Sequence, residues 1–206
     1  MISRLAAAIL AVAVLAGTGA CGSDDGSEGS SVPRDEGGAG PRSTSGGEAL
    51  GPADEGIDGV ESYRVDSNAH TEEDLTYELT PPVGGDHYPV PGTCGYYESD
   101  APPDELVVHD LEHGAIWIAH DPDLDATQLT VLSELVAQEA KVIVTPYDGL
   151  AAPLVVSAWA RQLSLDSVDD PRLQQFIATY RNSENAPEPS AACQGVGEPS
   201  VASPTA

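Results

Sequence analysis

The uneven distribution of apolar residues along this chain limits most strongly what it can fold into. Residues 22–62 are dominated by Gly, Ser, Pro and acidic residues, and they contain no aromatic side chain. Such a segment buries too little apolar surface to offset the entropy lost on ordering, so we expect a disordered acidic tether. The tail at residues 194–206 has a similar composition, and we expect it to be disordered as well. A core can then form only from residues 63–193, which is enough chain for one domain.

The first 20 residues have the features of a secretory signal peptide. Arg4 gives a positively charged start, and an apolar run extends from Leu5 to Gly17. This run is shorter than the roughly 20 residues that a transmembrane helix needs. The small residues Thr18-Gly19-Ala20 directly before Cys21 resemble a bacterial lipoprotein cleavage site. In that class the cysteine becomes the first mature residue and carries lipid, which predicts anchoring to the extracytoplasmic face of the cell membrane. The alternative is an unlipidated protein with a free cysteine.

The charge of the chain restricts its partners. It carries 34 Asp and Glu residues against 8 Lys and Arg residues, and Lys141 is its single lysine. Such a surface repels phosphate backbones, so nucleic acid is not an expected partner. Cations, basic proteins and neutral small molecules fit better. Membrane attachment must come from the lipid anchor, because the sequence has no basic patch for anionic headgroups.

Two cysteines remain after Cys21, and in an exported chain two cysteines usually form a disulfide. A Cys94–Cys193 bond would close a loop of about 100 residues and stabilise the fold by roughly 4–5 kcal/mol in the chain-entropy model. A cysteine-based metal site is the alternative, but neither cysteine has a histidine or a third cysteine close by in the sequence.

The segment between the tether and the tail predicts an α+β fold with one disulfide. A loop-rich opening part is followed by a short helix within residues 102–114, for which Pro103 and Gly114 suit the two ends. The order then runs strand, helix, strand, strand, helix, with the predicted elements at residues 115–120, 121–140, 141–147, 153–165 and 170–182. Two to three helices packed against a small mixed or antiparallel sheet are therefore expected.

Several segments together resemble a family of exported bacterial lipoprotein domains of unknown function. They are "YELTPPVGGDHYPV", "CGYY", "PDELVVHDLEHGAIWI", "SAWARQL" and the "FIATYRN" segment before the last cysteine. The family hallmarks are a PPxGGxH segment, matched here up to His87, and a VHxLEHG segment, matched from Val108 to Gly114. The resemblance covers roughly residues 65–193 and implies one exported domain, with paired cysteines in many members. It brings no activity.

The histidines are the candidate functional residues. If residues 104–113 are helical, His109, Glu112 and His113 share one face at i, i+3 and i+4. Two imidazoles in this arrangement suit a transition metal such as zinc or copper. His87 is the first choice for a third ligand, because the Gly84-Gly85 loop can bring it close and the resemblance links both motifs. His70 and His120 are weaker candidates.

Three functional hypotheses follow from these residues. The preferred one is a binding protein with a metal held by His87, His109 and His113. The second is a metal-dependent hydrolase, since H-x-x-E-H occurs in zinc hydrolases, with Glu112 as the general base on a metal-bound water. The third is a structural or interaction protein of the cell surface in which the histidines form a hydrogen-bonded network without metal.

Overall fold

The structure is a computed structural model that describes residues 42–44, 47–53 and 56–205. The described residues all belong to one compact unit, Ala39–Ala206. The predicted signal peptide, the predicted lipidation site Cys21 and most of the predicted tether lie outside the described residues. Within the described part of the chain, no helix has the length and apolar character needed to cross a membrane.

The described residues form ten strands and three helices. In chain order the elements are β1 (Arg42–Thr44), β2 (Glu48–Pro52), β3 (Val60–Arg64), β4 (Leu75–Tyr77), β5 (Gly95–Tyr96), α1 (Asp104–Glu112), β6 (Ile116–His120), α2 (Ala126–Gln138), β7 (Val142–Pro146), β8 (Leu154–Ala158), β9 (Arg161–Leu165), α3 (Pro171–Tyr180) and β10 (Val201–Ala202). The predicted α+β class and the three helices are confirmed.

Eight of these strands form one mixed sheet in the order β10-β5-β7-β6-β8-β9-β3-β2. β5, β7 and β6 are parallel, whereas β6, β8, β9, β3 and β2 pair antiparallel. The two remaining strands, β1 and β4, form a small parallel pair. The prediction allowed a mixed sheet, and parallel pairing arises because α2 connects β6 to its neighbour β7 as a crossover.

The side chains of the central strands alternate between two buried clusters, as the two faces of a sheet require. On β6, Ile116 and Ile118 join the cluster that contains α2 and α3, whereas Trp117 and Ala119 join the cluster that contains α1. The second cluster also holds both cysteines of the Cys94–Cys193 disulfide. The helix α1 is therefore fixed on the face opposite the other two helices.

The helix ends follow from their sequences. Asp125 accepts a hydrogen bond from Thr127 N at 2.8 Å, which is the predicted N-cap of α2. The helix α1 starts after Pro103 with two acidic residues in its first turn, which complements the helix dipole. Gly114 follows it with φ +80°, a conformation that glycine adopts at little cost.

The folded unit extends beyond the predicted limits of residues 63 and 193. β2 and most of β3 lie in the segment predicted as a tether, and β10 pairs with β5 from within the predicted tail. These strands lie at or near the edges of the sheet and are held by backbone hydrogen bonds. They contain few buried apolar side chains, Val60 being fully buried, so a hydrophobicity pattern cannot reveal them.

Residues 153–165, predicted as one strand, form the hairpin β8–β9. Ala158 pairs with Arg161, so the turn consists of Trp159 and Ala160 alone. Ala160 adopts φ +61°, which alanine rarely does. Turn prediction relies on Gly, Asn or Asp at such positions, and none is present here.

Candidate metal centre

The helix α1 presents His109, Glu112 and His113 in one buried region. Their exposed fractions are 5%, 2% and 7%, while Val107 and Leu111 on the other side of the helix are completely buried in the core. The predicted helix is thus confirmed, and with it the i, i+3, i+4 spacing of the three side chains.

A loop and a short extended segment bring two further histidines to this helix. Gly84 and Gly85, at φ +150° and +125°, allow the chain to turn before His87, and a Cβ on Gly84 would lie 3.0 Å from Val65. The segments of His70 and His87 then pair as a parallel bridge. Thr71 N donates to His87 O at 2.9 Å, and His87 N donates to Ala69 O at 3.1 Å.

Four side chains converge to form what we call the histidine–carboxylate cluster: His70, His87, His109 and Glu112. One ligand-type atom from each lies within 4.8 Å of all the others. Glu112 Oε2 is 3.0 Å from His87 Nε2 and 3.5 Å from His70 Nε2. Glu112 Oε1 accepts a hydrogen bond from Asn68 Nδ2 at 2.5 Å. The separations of 3.0 and 3.5 Å match ligand pairs around one small cation, whose bonds to nitrogen and oxygen are about 2.0–2.2 Å.

Three of the imidazoles are oriented by backbone carbonyls. The Nδ1 atoms of His87, His109 and His113 lie 2.8, 2.7 and 2.7 Å from the carbonyl oxygens of Gly85, Tyr88 and Ala192. A carbonyl oxygen can only accept, so each Nδ1 must carry the proton. In a neutral imidazole the lone pair is then on Nε2, which faces the other side chains of the site. Histidine ligands of metals are usually held by such hydrogen bonds from their second nitrogen.

The contact between His109 and His113 follows from this orientation. Their Nε2 atoms are 3.0 Å apart, and each neutral ring has a lone pair there rather than a proton. Two lone pairs at this distance repel each other, so the geometry requires a proton or another cation between or beside them. The lone pair of His87 Nε2 faces the Glu112 carboxylate, so it likewise requires a proton or another cation.

The electrostatics of the cluster favour a neutral His109 and an ionised Glu112. Burial lowers the pKa of His109 below 6.5, and the nearby imidazoles lower it further, against the opposing effect of the Tyr88 carbonyl. Burial alone would raise the pKa of Glu112. The Asn68 hydrogen bond and the contacts with His87 and His70 outweigh it, so this pKa lies below 4.5. Both groups are thus in the protonation state that binds a metal at neutral pH.

The predicted ligands His87, His109 and His113 are close together but divide between two groups. His113 forms a second group with Glu112 and Glu188, whose ligand-type atoms also lie within 4.8 Å of one another. His70, a weaker candidate in the sequence, lies in the cluster. His120, the other weaker candidate, lies at the far end of β6 from α1, and its Nδ1 contacts the carbonyl oxygen of Asp121.

Two site residues had no signal in the sequence. Asn68 reaches Glu112 from 44 positions away, and Glu188 is one acidic residue among many in the C-terminal segment. Glu188 is placed by its backbone, because its N donates to Glu112 O at 3.0 Å. Only the tertiary fold brings these side chains to α1.

The predicted Cys94–Cys193 disulfide is present, with a Cα–Cα distance of 5.5 Å, and it lies beside the site. Cys193 follows Ala192, whose carbonyl orients His113. Asp110 on α1 is completely buried, with Oδ1 at 3.2 Å from Cys193 Sγ. The disulfide therefore attaches the C-terminal segment to the chain just before β5 and places Cys193 against the helix that carries three of the candidate ligands.

Fold and site together define an α+β domain with one internal disulfide and a histidine–carboxylate cluster of which three members are buried. The chain belongs to the family described as protein of unknown function (DUF3105), whose model matches residues 69–195, more than half of the chain. This match confirms the predicted membership of a family of unknown function. No curated protein and no solved structure matches the chain significantly.

Proposed function

We propose that this protein binds a divalent transition metal through the histidine–carboxylate cluster and acts on the extracytoplasmic side of the cell membrane. The observation that carries the proposal is the orientation of the imidazoles. His87 and His109 have their Nδ1 protons committed to backbone carbonyls, which leaves Nε2 of each ring for a ligand role, and both residues belong to the cluster with Glu112. A metal ion satisfies these lone pairs and the carboxylate together.

The donor set indicates which metals fit. Three imidazoles and one carboxylate provide four ligands, the number that zinc prefers, and imidazole also suits copper and nickel. One carboxylate leaves a bound divalent ion with a net charge of about +1, which the acidic chain around it can offset. His70 is about half exposed, so the ion has a route from solvent.

Binding is favoured over metal-dependent hydrolysis by the environment of Glu112. A general base on a metal-bound water needs a free oxygen that faces the water. Glu112 is 2% exposed, with Oε1 bonded to Asn68 and Oε2 facing two imidazoles. This environment suits a metal ligand. The structural alternative is a buried network in which His87 is protonated and pairs with Glu112.

Metal analysis of the purified protein distinguishes these functions. The full chain with Cys21→Ser is exported without an affinity tag, loaded with zinc or copper, and analysed for bound metal and for its melting temperature. We expect stoichiometric metal and a stabilisation of about 2.7 kcal/mol when free metal is 100 times the dissociation constant. His109→Ala should abolish binding of the ion held by the cluster, whereas the matched control His120→Gln should retain it.

The structural alternative gives the opposite result. The wild-type chain would then take up none of the tested metals, while His87→Ala would still lower the melting temperature because Glu112 loses its partner. That combination would refute metal binding. A hydrolase would instead bind metal and lose only turnover in Glu112→Gln, whereas we expect this variant to bind metal much more weakly.

The membrane location has a separate test on Cys21. The apolar run before Cys21 and the small residues next to it support lipidation. Cys21→Ser should move the protein from the membrane fraction to the soluble exported fraction. Its persistence in the membrane fraction would overturn the anchor without affecting the metal proposal.

A further inference from the structure

We propose that the site holds a second divalent cation, bound by His113 and Glu188 and sharing Glu112 with the first. This inference rests on the proposed metal-binding function. Together with Glu112 the site has six potential ligands, which is more than one four-coordinate ion needs. Four of them form the histidine–carboxylate cluster, and the second group, Glu112, His113 and Glu188, provides the other two.

His113 is oriented in the same way as the ligands of the first ion. Its Nδ1 donates to Ala192 O at 2.7 Å, and its side chain is 9% exposed. Its Nε2 lies 3.0 Å from His109 Nε2 and 3.8 Å from Glu188 Oε2. A cation between His113 and Glu188 occupies the lone pair of His113 and removes the repulsion with His109.

Glu188 is held in position by contacts of its own segment. Its N donates to Glu112 O at 3.0 Å, and the next residue, Pro189, accepts a hydrogen bond from Lys141 Nζ at 2.9 Å. Its side chain is 61% exposed, unlike those of the other members of the second group. The second ion therefore has protein ligands on one side and water on the other, so we expect it to bind more weakly and exchange faster.

Glu112 is the residue that the two groups share. Its carboxylate belongs to both groups, with ligand-type atoms within 4.8 Å of the other members in each. In two-metal sites the ions are about 3.5–4 Å apart, a distance that one carboxylate spans. Two divalent ions next to a single carboxylate would repel each other strongly. The second carboxylate, from Glu188, reduces this repulsion.

Equilibrium dialysis of the full Cys21→Ser chain against buffered free zinc tests this arrangement, with the absorbance of cobalt(II) as an independent count. We expect two equivalents in the wild-type background, the second binding at least tenfold more weakly. Glu188→Gln should retain the first equivalent with unchanged affinity and lose the second. Glu184→Gln, an exposed glutamate in the same segment, is the matched control and should retain both.

Each other outcome has a definite meaning. One tight equivalent in the wild-type background would overturn the second site and leave the proposed function intact. Two equivalents that persist in Glu188→Gln would also overturn this assignment. The absence of any bound metal would refute the proposed function itself. Because Glu188 is exposed, its substitution is not expected to unfold the protein, and an unchanged circular dichroism spectrum verifies this.

Discussion

Removal of the Cys94–Cys193 disulfide should destabilise the folded state by about 4.7 kcal/mol. The two cysteines are 99 positions apart, so the bond closes a loop of about 100 residues in the unfolded chain. Losing that constraint increases the entropy of the unfolded state, and 4.7 kcal/mol is what the chain-entropy relation gives for such a loop. Cys94→Ser combined with Cys193→Ser makes the change in a background that already has Cys21→Ser.

Urea unfolding measures this effect, followed by the fluorescence of Trp117 and Trp159, which lie in the same buried cluster as the disulfide. With a slope of about 2 kcal/mol per M urea, the midpoint should fall by about 2 M. The slope itself should rise, because the unlinked chain exposes more surface when it unfolds. A midpoint shift below about 0.5 M would refute the chain-entropy argument for this bond.

The same variant also tests how the disulfide supports the site. Cys193 holds the segment in which Ala192 orients His113 and in which Glu188 lies, whereas His87 and His109 are oriented by other parts of the chain. Its loss should therefore weaken the second zinc equivalent more than the first. Equal weakening of both equivalents would contradict the assignment of this segment to the second position.

Two further substitutions test buried positions near the site. Burial raises the pKa of the Asp110 carboxyl in the folded protein well above 3.8. The protonated carboxyl therefore stabilises the fold fully below pH 3.8, and this stabilisation is lost as the pH rises through the folded-state pKa. Asp110→Asn should therefore stabilise the protein at pH 7, by about 1–3 kcal/mol, and flatten the pH dependence of the urea midpoint; a loss of stability at pH 7 would contradict the raised pKa. Gly114→Ala should cost more than Gly149→Ala, since both glycines have a positive φ but only a Cβ on Gly114 would contact Asn182, at 2.9 Å from its Cα. Equal melting temperatures for the two alanine variants would show that this contact is readily relieved.

Local sequence signals predicted the parts of the fold that local interactions determine. Pro103 and Gly114 fixed the limits of α1, and Asp125 fixed the start of α2, because capping depends on neighbouring backbone groups. The buried strand β6 followed from its continuous apolar run. Once α1 is predicted as a helix, the spacing of His109 and His113 places both side chains on one face.

Long-range contacts determine the rest, and they have no local signal. His70 joins the site through a bridge to His87, formed by backbone hydrogen bonds between two irregular segments. Asn68 and Glu188 reach Glu112 only after the chain has folded. The edge strand β2 was missed for a related reason: backbone pairing holds it in the sheet, so its side chains carry little apolar periodicity.

The H-x-x-E-H spacing illustrates why a motif does not determine a mechanism. On a helix the spacing places two imidazoles and a carboxylate on one face, and that part holds here. Whether the glutamate acts as a base or as a ligand depends on what surrounds its oxygens. In this chain Asn68 occupies one oxygen of Glu112, and two histidines from outside the motif occupy the other. The residues on which our preference for a ligand role of Glu112 over a general-base role rests therefore lie 25 to 44 positions before it in the sequence.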